Sequence, residues 1–245
     1  MTSTDLQDHI RATYFMLRKG LAALAFALPL VLWIGGRIFG GLPLQQSMSA
    51  YYHSGNGVMR DAFVGIMFAV SFFLILYKGF TYFENWAFNL AGGFLVLVAL
   101  VPMEWGCGDA CSRFSAHGTF SLLFFLCIAY VCIFRAADTL DLMRDKAMAK
   151  RFRGIYRLIG GAMIGAPVIA TIVSFVLNLE GSESEPRSTL FYIEATCIYV
   201  FMAYWIVKSI EITRTNSDKL AMEGKLTMQY QPKDIFRKIS VKRVS

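Results

Sequence analysis

Six apolar blocks, each near 20 residues long, constrain this chain more than any other feature of its sequence. A helix rises 1.5 Å per residue, so about 20 apolar residues cross the roughly 30 Å hydrocarbon core of a bilayer. Inside that core the backbone must satisfy its own hydrogen bonds, which a helix does unaided. The blocks fall at residues 20–38, 60–77, 86–103, 116–134, 155–178 and 189–210. Composition agrees: 56% of residues are hydrophobic and 17% charged, against about 45–50% and about 25% in soluble domains. The expected fold is all-α, a polytopic membrane bundle of six transmembrane helices. Residues 1–19 form an N-terminal segment, 20–210 the membrane domain and 211–245 a basic tail. The N-terminus resembles a signal peptide in having basic residues before an apolar run. That run is long and lacks a small-x-small cleavage site, so it reads as a retained helix.

Charge sets the orientation. An even number of spans puts both termini on one side. If that side is the cytoplasm, the inner segments hold 20 of the 24 Lys and Arg residues, and the outer ones hold only Arg37, Arg60, Arg113 and Arg187. The positive-inside rule then places both termini in the cytoplasm. It also accounts for the net charge of +7 without a nucleic-acid partner, for which no motif is present. The tail segment Lys233–Arg243 reads either as a basic amphipathic helix on anionic lipid or as a solvated tail. Gly161-x-x-x-Gly165 reads as a close helix-packing face.

The polar stretch Ser47-Met-Ser49-Ala-Tyr51-Tyr52-His53, followed by Arg60-Asp61, lies between the first two blocks. In this orientation it shares the outer face with Glu104, Cys107, Cys111, His117 and Glu194. Glu194 sits about five residues into the sixth block, roughly 8 Å deep. An ionisable group at such depth usually faces the bundle interior or a water-filled cavity. Three readings of the cluster stand side by side. His53, His117 and a carboxylate (Asp61, Glu104 or Glu194) bind zinc, which takes three protein ligands plus water in catalytic sites. Alternatively the groups are structural, with Arg60 paired to Asp61 or Glu194 and the histidines bonded to carbonyls. In the third they line the mouth of a channel or transporter. Cys107 and Cys111 form either a local disulfide or ligands. The five cysteines make no disulfide framework, and Cys127, Cys132 and Cys197 read as core thiols.

Several motifs carry a resemblance. Ser47-x-Ser49-Ala-Tyr-Tyr-His53, Met59-Arg60-Asp61-x-Phe-Val-Gly65, His117-x-x-x-Ser-Leu-Leu-Phe-Phe, Ile155-Tyr156-Arg157, Phe191-Tyr-Ile-Glu194-Ala and Trp205-x-x-Lys208 together resemble an uncharacterised group of bacterial six-span membrane proteins, similar to the DUF998 and Frag1/DRAM-type families. The resemblance implies a bacterial inner-membrane location and no particular activity. A looser similarity links Ser49, His53 and Asp61 to the Ser-x-x-x-His and Asp pattern of the alkaline ceramidase and adiponectin-receptor superfamily, seven-span metal-dependent amide hydrolases. The late His-x-x-x-His pair of that superfamily is absent here, and Glu194 stands in the sixth block.

The expected function is therefore a multi-pass membrane protein with a polar outer pocket for a lipid or small ligand, lined by Ser49, His53, Arg60, Asp61 and Glu194. The alternative is a metal-dependent lipid amide or ester hydrolase with catalytic candidates His53, Asp61, His117 and Glu194. Its metal ligands would be His53, His117 and Asp61, with zinc as cofactor. The partner in either case is membrane lipid. Reporter fusions test the orientation: a fusion at residue 145 reports cytoplasmic and one at residue 184 external, and the reverse pattern contradicts it.

Overall fold

The computed structural model describes residues 3–105, 115–179, 188–228 and 231–244. It is mainly helical. Helix α1 (Ser3–Leu30) continues without a break through a π-helical turn (Val31–Gly35) and a last helical stretch (Gly36–Gly40). The N-terminal segment and the first block are thus one rod. Pro29 lies in its last apolar third and supplies no backbone N–H to the helix ladder. The π turn begins two residues later, where such a break is commonly absorbed. Gly41 ends the rod in the left-handed conformation, at φ 61°, which glycine adopts without penalty.

Helices α2 (Arg60–Leu76) and α3 (Tyr82–Leu100) are joined by a short turn, and Thr81 caps α3 by accepting from the Glu84 N–H at 3.3 Å. Ser115 caps α4 (Ala116–Tyr130) in the same way, accepting from Gly118 N–H at 3.1 Å. A second π turn (Val131–Arg135) and a 3-10 turn (Asp138–Leu142) follow α4. Asp145 caps α5 (Lys146–Leu179) through the N–H groups of Ala147 and Met148. Helix α6 (Thr189–Thr215) ends at Asn216, which is left-handed at φ 52°. A short helix α7 (Ser217–Met222) then leads to a two-stranded antiparallel ribbon, in which β1 (Leu226–Met228) pairs with β2 (Val241–Arg243) in the register Leu226 to Arg243.

The six long helices form a closed ring. Each packs on its neighbours in sequence, and α1 packs on α6 to complete the circle. Leu32, Phe63, Leu74, Phe88, Ile128, Met163, Phe201 and Trp205 fill the interior. The outside is also apolar: Phe26, Ile38, Phe39, Phe72, Leu90, Leu158 and Ile172 are exposed. So large an exposed apolar surface is unusual for a protein surrounded by water. Four helical stretches, Asp5–Gly40, Tyr82–Leu100, Ala116–Leu142 and Thr189–Thr215, are long and apolar enough to cross a membrane. The acidic loop 180–187 lies outside the described residues.

Two expectations change. Gly161 and Gly165 touch no neighbour that a Cβ would meet. The tight approach on α5 is at Gly160, whose Cβ would stand 2.5 Å from Ile133 Cγ1 and 3.1 Å from Cys132 Cβ. The small residues are on the right helix, but a different face of it meets the π turn of α4. The tail is neither a lipid-bound amphipathic helix nor a free chain. It folds back over one end of the bundle: Phe236 packs on Tyr130 and Phe134, Tyr130 Oη donates to Ile235 O at 2.6 Å, and Val241 is fully buried.

Between α2 and α3 the backbones meet at Gly92, where a Cβ would lie 2.7 Å from the Ser71 carbonyl oxygen and 2.6 Å from Ile75 Cγ1. Gly93 faces open space. Gly92→Ala lowers unfolding stability by about 1–3 kcal/mol through overpacking, while Gly93→Ala leaves it unchanged or raised. Thermal unfolding of both variants in detergent checks the contrast.

Candidate functional site

The loop between α1 and α2 threads into the mouth of the ring. Its 3-10 turn (Ser49–Tyr52) buries Ala50 and Tyr51 completely, and Met48 and Ser47 almost so. The Tyr51 ring packs edge-on to Phe191 at 6.1 Å, and a Cβ on Gly36 would collide with it. Burial pushes the Tyr51 phenol above its ordinary pKa, so it stays protonated, and its oxygen accepts from Gln45 N–H at 3.4 Å.

Backbone hydrogen bonds explain why the loop lies there. The first N–H groups of a helix lack intrahelical partners. At α6 the loop supplies one: Phe191 N–H donates to Gln46 O at 2.8 Å. In return Glu194 Oε2 accepts from Met48 N–H at 2.6 Å. A carboxylate one turn into α6 is thus tied to the loop backbone by a charge-assisted bond.

The other side of the loop is held by the extended segment after α3. His117, at the start of α4, places Nδ1 2.7 Å from Val101 O and Nε2 2.8 Å from Ser49 Oγ. A carbonyl can only accept, so Nδ1 carries a proton. In the neutral imidazole Nε2 is therefore the acceptor, and the Ser49 hydroxyl donates to it. His53 makes the matching bond two residues along, with Nε2 3.0 Å from Met103 O, and its ring stacks on Trp105 at 5.4 Å. Carbonyls two apart on an extended chain share a side and lie about 7 Å from each other. One segment therefore clasps both histidines.

The structure thus brings Ser49, His53, His117 and Glu194 to one end of the bundle, held by residues 46–48 and 101–105. Among the described residues it brings Arg60 to no carboxylate. Arg60 is exposed, donates from Nε to Tyr52 O at 3.1 Å and lies 4.7 Å over the Tyr52 ring. No ion pair joins it to Asp61 or Glu194. Asp61 is exposed in the first turn of α2, where a negative charge suits the helix dipole. Cys107 and Cys111 lie outside the described residues.

The donor set does not fit zinc. Among the described residues no three His, Cys, Asp or Glu side chains are placed to hold a metal ion. Both ring nitrogens of His117 and Nε2 of His53 are already hydrogen-bonded within the protein. A metal would have to displace Ser49 and a backbone carbonyl.

A second polar cluster, which sequence reasoning missed, lies at the opposite end. Three cations (Arg18, Arg135, Lys208) and three carboxylates (Glu84, Asp138, Glu211) are at most 1% exposed. Lys208 Nζ donates to Ala136 O at 3.2 Å, Thr139 Oγ1 at 3.0 Å and Glu211 Oε2 at 2.8 Å. Glu211 also accepts from Thr139 Oγ1 at 2.8 Å and Tyr156 Oη at 3.1 Å. Arg135 pairs with Asp138 at 3.4 Å, and Arg18 with Asp218 at 2.7 Å. Glu84 accepts from Phe80 N–H through Oε2 and leaves Oε1 without a hydrogen bond. The tail completes this end: Arg135 donates to Arg237 O, Ile239 N–H donates to Asp138 at 2.9 Å, and Lys238 and Ser240 bond Asp141. The available signal was i, i+3 pairing at the ends of apolar runs, in Arg135-x-x-Asp138 and Lys208-x-x-Glu211.

No family model, curated protein or solved structure matches this chain.

Breaking a buried ion pair from one side strands the other charge, at about 3–5 kcal/mol. Lys208→Met is expected to destabilise by that amount. Lys208→Met combined with Glu211→Leu is expected to lose less than the two single changes added together. Unfolding of the three variants in one detergent checks the coupling, and strict additivity contradicts it.

Proposed function

We propose that this protein is a six-span integral membrane protein, with both termini in the cytoplasm, whose outer site binds a lipid headgroup or a small polar ligand. The exposed apolar surface and the four long apolar stretches support the membrane setting. Helix α2, at 17 residues, reaches about 25 Å, the short end of what a span requires, and serves as another span where the bilayer thins to meet it. Helix α5, at 34 residues, is longer than any span requires.

One observation carries the binding site. Two side chains from separate helices meet one loop: Glu194 of α6 accepts from the Met48 N–H, and His117 of α4, held by the Val101 carbonyl, bonds the Ser49 hydroxyl. Ser49 and Glu194 are partly exposed there, and their bonds to His117 and to the Met48 N–H are the ones an incoming polar group would exchange with. Arg60, exposed and without a carboxylate partner among the described residues, adds a positive charge beside them. The identity of the leaflet as the outer one follows from the positive-inside count.

A second reading is favoured by the 2.8 Å Ser49–His117 bond. A histidine oriented through Nδ1 and accepting a serine proton at Nε2 is the arrangement that activates a nucleophile. Here the orienting group is the Val101 carbonyl. The reaction would be metal-free ester or amide cleavage: Ser49 Oγ attacks the carbonyl, its proton passes to His117 Nε2 and then to the leaving group, and water releases the acyl group.

The two readings separate experimentally. Native mass spectrometry of the protein drawn from its membrane in polymer discs is expected to show a co-purifying adduct. Ser49→Ala or Glu194→Gln is expected to reduce its occupancy about five- to tenfold, the effect of one or two lost hydrogen bonds. An adduct indifferent to both changes contradicts the site. A fluorophosphonate probe that labels Ser49 in the native protein but not in His117→Gln selects the hydrolytic reading, and absence of labelling discards it.

A further inference from the structure

A cleft of about 390 Å³ opens between α1 and α6 at the end of the bundle that carries the termini. Phe15 and Ala22 of α1 and Ile206 and Ile210 of α6 form its apolar sides, with the fully buried Trp205 behind them. Two hydroxyls also line it, but both are committed to their own helix: Ser209 Oγ donates to Trp205 O at 2.7 Å and Thr213 Oγ1 to Ser209 O at 2.8 Å. The trough therefore offers an alkyl chain apolar contact and no competing polar partner. Its volume is within the range of about 300–1,000 Å³ typical of ligand sites.

The rim of the cleft is cationic. Lys19 and Arg214, both exposed, stand where the apolar runs of α1 and α6 give way to polar sequence. Neither forms an ion pair with a carboxylate among the described residues. The nearest groups to them are weak ones: Lys19 Nζ lies 4.4 Å from the Phe15 ring, and Arg214 Nη1 lies 2.9 Å from Met148 Sδ. Arg18, 1% exposed, also lines the cleft. Its Nη2 is bound to Asp218, while Nε and Nη1 make no hydrogen bond. Three cations with one carboxylate between them thus border an alkyl-sized trough, at the depth where headgroups meet acyl chains.

We propose that this cleft binds an anionic phospholipid of the leaflet on the side of the termini. One acyl chain lies between Phe15, Ala22, Ile206 and Ile210, and the phosphate sits against Lys19 and Arg214. A soluble anion would match the rim but leave the apolar walls unoccupied. A zwitterionic lipid would fill the walls and return a positive charge to a rim already rich in it. The site is separate from the outer one: residues 18 and 40 of the α1 rod are about 33 Å apart at helical rise.

The test uses the full-length protein in phosphatidylcholine nanodiscs, titrated with phosphatidylglycerol and read by native mass spectrometry and by thermal stability. Phosphatidylglycerol is expected to bind at least tenfold more tightly than phosphatidylcholine. Lys19→Gln with Arg214→Gln removes that preference and flattens its salt dependence, while Lys19→Arg with Arg214→Lys keeps it. Both residues are exposed, so these variants fold. Ala22→Trp, which fills the trough, abolishes binding of both lipids. Ser49→Ala leaves phosphatidylglycerol binding unchanged, which separates this site from the outer one. Equal affinity for the two lipids, indifference to the double Gln variant, or displacement by millimolar inorganic phosphate overturns the proposal.

Discussion

The ion pair between Lys208 and Glu211 is the contact on which the inner half of this protein depends. Taking two charges out of water costs several kcal/mol each, and attraction repays that only when geometry is good and every proton and lone pair is used. Here the ammonium group has three protons and three acceptors, and the carboxylate has donors on both oxygens. The partners come from four places in the chain: the end of the α4 π turn, the 3-10 turn, α5 and α6. The pair therefore fixes the angle at which the chain leaves α4 and re-enters as α5. With that connector fixed, Asp138 and Asp141 are positioned to hold the tail, whose backbone and side chains bond them.

The two ends of the bundle solve the same problem in different ways. Both must bury polar loop backbone beneath or beside apolar helices. The inner end does so with paired charges, and the outer end with neutral hydrogen bonds and a single carboxylate. An ion-pair cluster holds its members rigidly because each displaced charge is left unpaired. Neutral bonds such as Ser49 to His117, or Gln46 to Phe191, exchange with water or ligand at about 1 kcal/mol each. The bonds at the Ser49 end are accordingly the cheaper ones to exchange, and the paired charges at the opposite end are the anchor. The cationic cleft between α1 and α6 lies on the wall beside this anchor, where Arg18 belongs to both.

The helical blocks were legible because length and hydropathy mark a long apolar helix, and four helical stretches are long and apolar enough to cross a membrane. Their continuations were not. Residues 1–19 read as a separate surface segment, although nothing in them stops a helix. The region 135–142 belongs to a stretch, 135–157, whose ten charged residues read as a connector outside the apolar blocks. Its burial depends on Lys208 and Tyr156, which are far away in sequence. The tail fails for the same reason, since its partners are carboxylates that look exposed. Gly160 rather than Gly161 makes the close approach because a helix face acquires meaning only from its neighbour. At the outer site, shared sidedness of Ser49, His117 and Glu194 followed from counting charges. Their contacts needed the positions of Val101 and Met48, whose backbone atoms carry no signal in the sequence. The zinc reading could not anticipate that His117 and His53 are hydrogen-bonded to carbonyls of the segment after α3, and His117 also to Ser49.

The central claim is that the outer loop preorganises a Ser49–His117 pair through the Val101 carbonyl. The most direct measurement is the 15N NMR spectrum of His117 in the bilayer-reconstituted protein at neutral pH. The account predicts a neutral ring protonated at Nδ1, with an Nε2 resonance that moves when Ser49 is replaced by alanine. A ring protonated at Nε2 and bare at Nδ1, or an Nε2 resonance blind to Ser49→Ala, contradicts it.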